Sequence, residues 1–275
     1  MPTQAPTQDQ IRSAWNSTAP GYDEFATPLS IGVGQRVLGK VDVGPGTRFL
    51  DVAAGSGGLS IPAARTGANV LAIDIAPTML ERLAIRARSE GLSNVDTRAM
   101  PAADLDLPDS SFDVTASQFG VTIIPDATQA LAEMVRVTKP GGTVLLVGAG
   151  AMAKVEFFTF FLGAIQAAVP EFTPPPEPPA PFQLEDLDAF TRTLTDAGLS
   201  DVAVDTLSHD MQFESAEHLW SYLHGNPLVP QLLADLTEQQ RDGIKEALDG
   251  LLRERSGGEP GAVLHAEMRV GTGTK

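Results

Sequence analysis

The chain of 275 residues contains no cysteine. Disulfides, thiolate catalysis and cysteine-based zinc sites are therefore excluded. Basic residues are sparse: 19 Lys and Arg stand against 35 Asp and Glu, a formal net charge of −16. A surface of that sign repels phosphate backbones and anionic lipid, so neither nucleic acid nor a membrane is an expected partner. The same charge also keeps a protein soluble, which accounts for most of it. Long apolar runs are absent too. The most apolar stretch, 155-VEFFTFFLGAIQAAV-169, carries Glu156 and Gln166 and is too short to span a bilayer. The opening residues, MPTQAPTQDQ, lack a basic region followed by an apolar one, so no signal peptide is expected and the expected location is cytoplasmic. No internal repeat is visible. Of the four histidines, His218 and His224 are six apart and do not share a helical face, so no metal site is expected.

What is present suffices for a substantial core, with 43% hydrophobic residues. Thr7 and Gln10 form a capping-box pattern that opens a first helix, and Pro20-Gly21 reads as its stop, leaving Tyr22 and Phe25 in a loop. From residue 47 strands and helices alternate. RFLDVA (48–53), NVLAID (69–74), NVDTRA (94–99), FDVTASQ (112–118) and TVLLVGA (143–149) read as strands. Between them, Pro77 opens a helix with Met79, Leu80, Leu83, Ala84 and Ala87 on one face. Asp126 with Gln129 opens another, and KPGG (139–142) reads as a turn. Continuous apolar strands alternating with helices predict a parallel sheet covered on both faces. Beyond residue 150 the pattern predicts an almost wholly apolar helix over 153–169 and a stiff connector, PPPEPPAP, at 174–181. A helix ending at Gly198, a strand VAVDTL (202–207), a helix opened by Thr237 and Gln240, and a last strand within 261–273 follow.

The segment 49-FLDVAAGSGGLS-60 places an acid just before a glycine turn. In an open parallel sheet that edge is where ligands bind. Glycines at 55 and 57 permit a tight turn and close approach of a ligand to the backbone. Asp74, nineteen residues after Gly55, ends the second strand, where a carboxylate can accept from both hydroxyls of a ribose. Two features argue against a nicotinamide dinucleotide. The third glycine of its fingerprint is replaced by Ser60. Asp51 would repel a pyrophosphate but attract a ligand that carries an ammonium and a sulfonium.

The segments LDVAAGSGG (50–58), AIDIAPTML (72–80), LDLPDSSFDV (105–114), SQFGVTIIPD (117–126) and EMVRVTKPGGTVLL (133–146) together resemble the class I S-adenosylmethionine-dependent methyltransferases. The likeness is greatest to the ubiquinone/menaquinone-biosynthesis, or type 11, small-molecule branch, and the N-terminal Trp15, Ala19, Tyr22 and Asp23 fit it as well. The resemblance implies an α/β, Rossmann-like sheet of seven mostly parallel strands, the last antiparallel, with a helical lid. It divides the chain into an N-terminal cap (1–45), a cofactor-binding core (46–150), a lid insertion (151–182) and the rest of the core (183–275) with a helical insertion at 209–258. It implies S-adenosyl-L-methionine as cofactor, S-adenosyl-L-homocysteine as product and a small-molecule methyl acceptor.

Residue by residue, the resemblance implies that Ala53, Gly55, Ser56 and Gly57 wrap the methionine part, with Asp51 near its ammonium. Asp74 takes the ribose, while Ile75, Met79, Met100 and Ala102 lie along the adenine. Gln118 faces the methionine end, and Tyr22 closes over it. Pro101 stands where the family usually has an aspartate that accepts from the adenine amino group. A proline cannot make that bond, which is worth about 1–3 kcal/mol. Asp104, one turn away, is a candidate substitute. Trp15, Tyr22, Phe119, Phe157, Phe158 and Phe161 are candidate walls for a spreading positive charge. His209, His224 and Tyr22 are candidate proton acceptors. The alternative from another class is a cofactor-binding protein that does not methylate: a cyclase, an isomerase or an inactive partner.

Overall fold

A computed structural model of the chain describes residues 6–173, 180–226, 229 and 232–275. Its strands are β1 (Arg48–Val52), β2 (Asn69–Asp74), β3 (Val95–Ala99), β4 (Phe112–Gln118), β5 (Thr138–Ala149), β6 (Ser200–Phe213) and β7 (Ala262–Thr274). They form one sheet in the order β3-β2-β1-β4-β5-β7-β6. β1 to β5 run parallel, and β7 lies antiparallel to both β5 and β6. The seven-stranded α/β sheet with its last strand reversed agrees with the sequence expectation. The order reverses between β1 and β4, which opens a crevice beyond their carboxyl ends.

Side chains alternate across a strand, so adjacent residues serve opposite faces. On one face Phe49, Val114, Leu145 and Val147 pack with α2 (Thr27–Leu38) and α3 (Ser60–Arg65). On the other, Leu50, Val52, Val144 and Leu146 pack with α5 (Ala127–Val137) and α7 (Leu187–Asp196). β2 and β3 are flanked by α4 (Pro77–Ser89), which buries Met79, Leu80, Leu83 and Ala87. A separate apolar cluster joins α6 (Glu156–Ala168), α8 (Ala216–His224) and α9 (Glu238–Ser256) to the far ends of β6 and β7. Phe161, a candidate wall of the site, sits wholly buried in that cluster and is core instead.

Four local expectations are corrected. Pro20-Gly21 does not stop the first helix: α1 (Gln8–Gly21) runs into a π-turn, Tyr22–Ala26, and on into α2. Pro20 lies inside α1, and the wider i→i+5 spacing begins after it, where Thr27 N–H donates to the Tyr22 carbonyl. KPGG is part of β5: a register irregularity lies between Phe112 and Val114 of β4, and Gly141 takes φ +76°. The carboxylate of Asp126 makes no cap bond. β6 continues to Phe213, six residues beyond VAVDTL, as the outer strand of a long ladder with β7. The connector at 174–181 falls outside the described residues except for its last two, which open a 3₁₀ turn, Ala180–Phe182.

Candidate functional site

The ends of β1, β2 and β4 meet at the crevice. The carboxylate of Asp74, at the end of β2, is 8% exposed. One oxygen, Oδ2, accepts from Gly55 N–H at 2.9 Å, and the other, Oδ1, from Ala76 N–H at 2.8 Å. Asp74 thus ties the glycine turn to the start of α4. Burial raises its pKa, opposed by the N–H groups of Ala76, Gly55 and Ile75.

Asp51, on β1, is 1% exposed and lies beneath the turn. Its Oδ2 accepts from Ser60 Oγ at 2.5 Å, while its Oδ1 has no partner. Ser60, the departure from a dinucleotide fingerprint, is therefore the hydroxyl that holds this acid. Burial pushes Asp51 up to about 7; the Ser60 hydroxyl opposes the shift and the neighbouring Asp74 adds to it. Gln118 lies two residues beyond Ala116, the register partner of Asp51 on β4. Its Nε2 donates to Ser30 O (3.0 Å) and Ser30 Oγ (3.1 Å), and its buried Oε1 has no partner. Two buried acceptors without donors, on adjacent strands, suit a ligand that brings donors of its own, such as an ammonium group.

The backbone around them is strained. Ala53 (φ 56°) and Phe119 (φ 62°) both adopt the left-handed conformation just past β1 and β4. Such strain concentrates at functional sites. Gly120 fits beneath because it lacks a Cβ, which would collide with the Ala53 Cβ. Gly120→Ala is expected to cost about 1–3 kcal/mol. Ala53→Gly, which also relaxes a left-handed alanine, should recover part of that loss in the double variant. Denaturant unfolding of the four-member cycle checks this, and purely additive effects would refute the contact.

Tyr22, placed by the π-turn, closes the crevice from the N-terminal side. It meets Trp15 edge-on at 5.9 Å. Burial raises its pKa; a hydrogen bond with Ser30 opposes this, and the charges of Asp74 and Asp51 add to it. Two contacts hold the arm on α4. Asn16 Oδ1 accepts from Thr78 N–H at 3.1 Å, and Arg86 reaches the Asp23 carboxylate at 2.5 Å.

A cavity of about 550 Å³ opens from the crevice. Of the candidate cofactor residues, Tyr22, Ala53, Gly55, Asp74, Ile75, Met79, Met100, Ala102 and Gln118 line it. Asp51, Ser56 and Gly57 lie behind: Ser56 is hydrogen-bonded to Thr27, and Gly57, at φ +102°, packs against Leu83. Pro101 lines the cavity, whereas Asp104 is exposed and does not. The far part is apolar, walled by Phe157, Phe158, Phe182, Met211, Leu223 and Ala266.

The histidines are elsewhere. His209 stands against Gly32 of α2, its pKa lowered by burial and by Arg36. His224 rests on Trp220, with Nδ1 2.9 Å from the Trp220 carbonyl, and burial lowers its pKa. Neither lines the cavity. Tyr222 and Glu267, which do, are not among the residues the sequence singles out. Tyr222 lies edge-on to Phe157 at 5.2 Å, and burial, with Tyr22 nearby, raises its pKa. The one signal for Glu267 is an acid inside the apolar strand pattern GAVLHAEMRV.

A family model described as a methyltransferase domain matches residues 50–146. An uncharacterised protein of Mycobacterium tuberculosis is 40% identical over 127 residues, 45% of this chain and 44% of that protein; the chain thus spans less than half the length of this relative. The demethylmenaquinone methyltransferase of Renibacterium salmoninarum is 32% identical over 213 residues, 73% of this chain and 88% of that enzyme. Among solved structures, the [4+2]-cyclase SpnF matches with a TM-score of 0.61 at 17% identity, covering 98% of this chain and 97% of that one, a likeness of fold.

Proposed function

The chain belongs to the S-adenosylmethionine-dependent methyltransferases, and from that premise we propose that it transfers a methyl group from S-adenosylmethionine to a small, largely apolar acceptor. The carrying observation is the pair of buried, unpartnered acceptors, Asp51 Oδ1 and Gln118 Oε1, on the adjacent strands β1 and β4. Their donor-seeking chemistry fits the cofactor's ammonium. Asp74, at the crevice end of β2, accepts from the ribose hydroxyls. Ile75, Met79 and Met100 offer an apolar surface to the adenine, and the Ala102 backbone lies along it. The turn 53–57 takes the amino-acid end, and Tyr22 covers it.

When bound, the cofactor supplies an electrophilic methyl on a sulfonium whose neutral thioether leaves without protonation. The chain's own work is then to align the acceptor, exclude water and tolerate a dispersing positive charge. Trp15, Tyr22, Phe119, Phe157 and Phe158, all on the cavity wall, provide polarizable faces for that charge. With no histidine on the described wall, a proton lost by the acceptor would go to a carboxylate or to water. The acceptor class is a phenol, a quinol or a related natural-product ring, by analogy with the demethylmenaquinone enzyme. No described helix is long and apolar enough to cross a membrane.

Calorimetry with S-adenosylmethionine, S-adenosylhomocysteine and NADH tests the cofactor: the first two are expected to bind and the third is not. Mass spectrometry of a phenol and quinol panel should then reveal a product heavier by one methylene. Binding of the cofactor with no methylated product across the panel would favour a non-methylating role.

A further inference from the structure

We propose that Glu267, held in place by Arg269, selects the acceptor: it takes a hydrogen bond from a hydroxyl or amine on an uncharged ring system and turns away acceptors that carry a carboxylate, sulfonate or phosphate. This rests on the reading that the cavity receives a methyl acceptor.

Three observations carry it. First, the described residues lining the cavity include no lysine, arginine or histidine. An anionic ligand there would lose its hydration and find no cation facing it. Second, Glu267 is the carboxylate of the apolar end. The other lining acids are elsewhere: Asp74 at the crevice, and Asp126 exposed at the start of α5. Third, Glu267 is fixed through one oxygen only. Its Oε1 accepts from Arg269 Nη1 at 2.7 Å and from Ala151 N–H at 3.3 Å, while Oε2 takes no bond from a described residue.

The guanidinium of Arg269 is committed away from the cavity. It is 8% exposed, does not line the wall, and also donates to the Glu185 carbonyl at 2.9 Å and Thr206 Oγ1 at 2.7 Å. The Glu185 carboxylate lies close by, where its Oε2 accepts from Met152 N–H at 2.6 Å. One cation against two acids leaves this corner net negative. Arg269 is buried while Glu267 is half-buried, so the guanidinium anchors one oxygen of an acid whose other oxygen stays accessible beside the apolar chamber. A neutral ligand whose donor meets Oε2 satisfies the site; a second negative charge there is repelled at short range.

Two fluorescent probes that share one skeleton give a direct test. N-phenyl-1-naphthylamine is neutral, and 8-anilino-1-naphthalenesulfonate adds a sulfonate to the same ring system. The wild-type protein is expected to bind the neutral probe at least about tenfold more tightly, a difference near 1.4 kcal/mol. Glu267→Gln should shrink that ratio at least fivefold, and Glu267→Asp should keep it, with cooperative thermal unfolding confirming that both variants are folded. Equal binding of the two probes by the wild type, or an unchanged ratio in Glu267→Gln, would overturn the proposal. The readout does not depend on methyl transfer. If the probes discriminate but S-adenosylmethionine fails to bind, the proposed reaction falls and the charge selection stands. If the cofactor binds and the probes do not discriminate, the role of Glu267 alone is removed.

Discussion

Asp74→Ala is expected to weaken S-adenosylmethionine binding at least a hundredfold. In the proposed complex the carboxylate accepts from two ribose hydroxyls, and each charge-assisted bond contributes about 1.5–3 kcal/mol. Together they correspond to roughly two to four orders of magnitude in affinity. The substitution also removes the partner of Gly55 N–H and of Ala76 N–H, so the glycine turn loses its tie to α4. Leaving a buried N–H unsatisfied costs about 1–3 kcal/mol, offset in part because a carboxylate whose pKa is raised by burial has been removed. Calorimetry with adenosine alone separates the causes. Adenosine carries the ribose but no methionine, so its affinity should fall in parallel with that of the full cofactor. Unchanged affinity for both ligands would show that the ribose lies elsewhere.

The second large effect concerns Asp51 and runs in opposite directions for stability and binding. Its ordinary pKa is 3.8, and in the folded protein burial lifts it to about 7. Between those values the folded state holds a proton that the unfolded state has released. Stability therefore falls as pH rises from about 4 to 7 and stays low above that. A tenfold change in proton affinity corresponds to about 1.4 kcal/mol, which sets an upper limit of roughly 4 kcal/mol on the effect. Asparagine keeps an oxygen for the Ser60 hydroxyl and has nothing to ionise. Asp51→Asn is expected to be more stable than the wild type by about 2–4 kcal/mol at pH 8 and nearly equal at pH 4. Urea unfolding at the two pH values would measure this, and equal stability at both would contradict it.

Binding moves the other way. A cationic ammonium favours the ionised acid, so wild-type affinity for S-adenosylmethionine should climb with pH and level off above 7. The asparagine variant should bind at least about tenfold more weakly there, while its affinity for adenosine stays unchanged. The two results together would mark Asp51 as a destabilising group retained for its ligand.

Much of the crevice's geometry is legible in the sequence because it is local. Asp51, the turn at 53–57 and Asp74 lie within 24 residues, and the strand–turn–helix pattern fixes which sheet edge they occupy. Gln118 was legible for the same reason, as the last residue of an apolar strand. Tyr222 and Glu267 were not. Their position depends on the pairing of β6 with β7 across sixty residues of sequence, and on a helix whose direction follows from its packing on α9 and α6. β6 itself was underestimated because it is an edge strand: its polar residues SHD extend it without the apolar run that marks a buried one. Tyr22 was assigned to a loop because a proline and a glycine next to each other usually end a helix; here the helix continues through both into a π-turn.

The ladder of β6 and β7 extends past the point where β5 ends at Ala149, and the residues between the two strands form α8 and α9. Cavity-lining groups such as Met211, Leu223 and Glu267 therefore belong to a two-stranded beam and the helix that follows it, whereas Asp51, Asp74 and Gln118 are set in other strands of the sheet. The two halves of the cavity thus rest on different parts of the sheet. Insertions and exchanges on the beam can reshape the apolar chamber while leaving untouched the crevice proposed to hold the donor, so one scaffold can change what it recognises without having to fold anew.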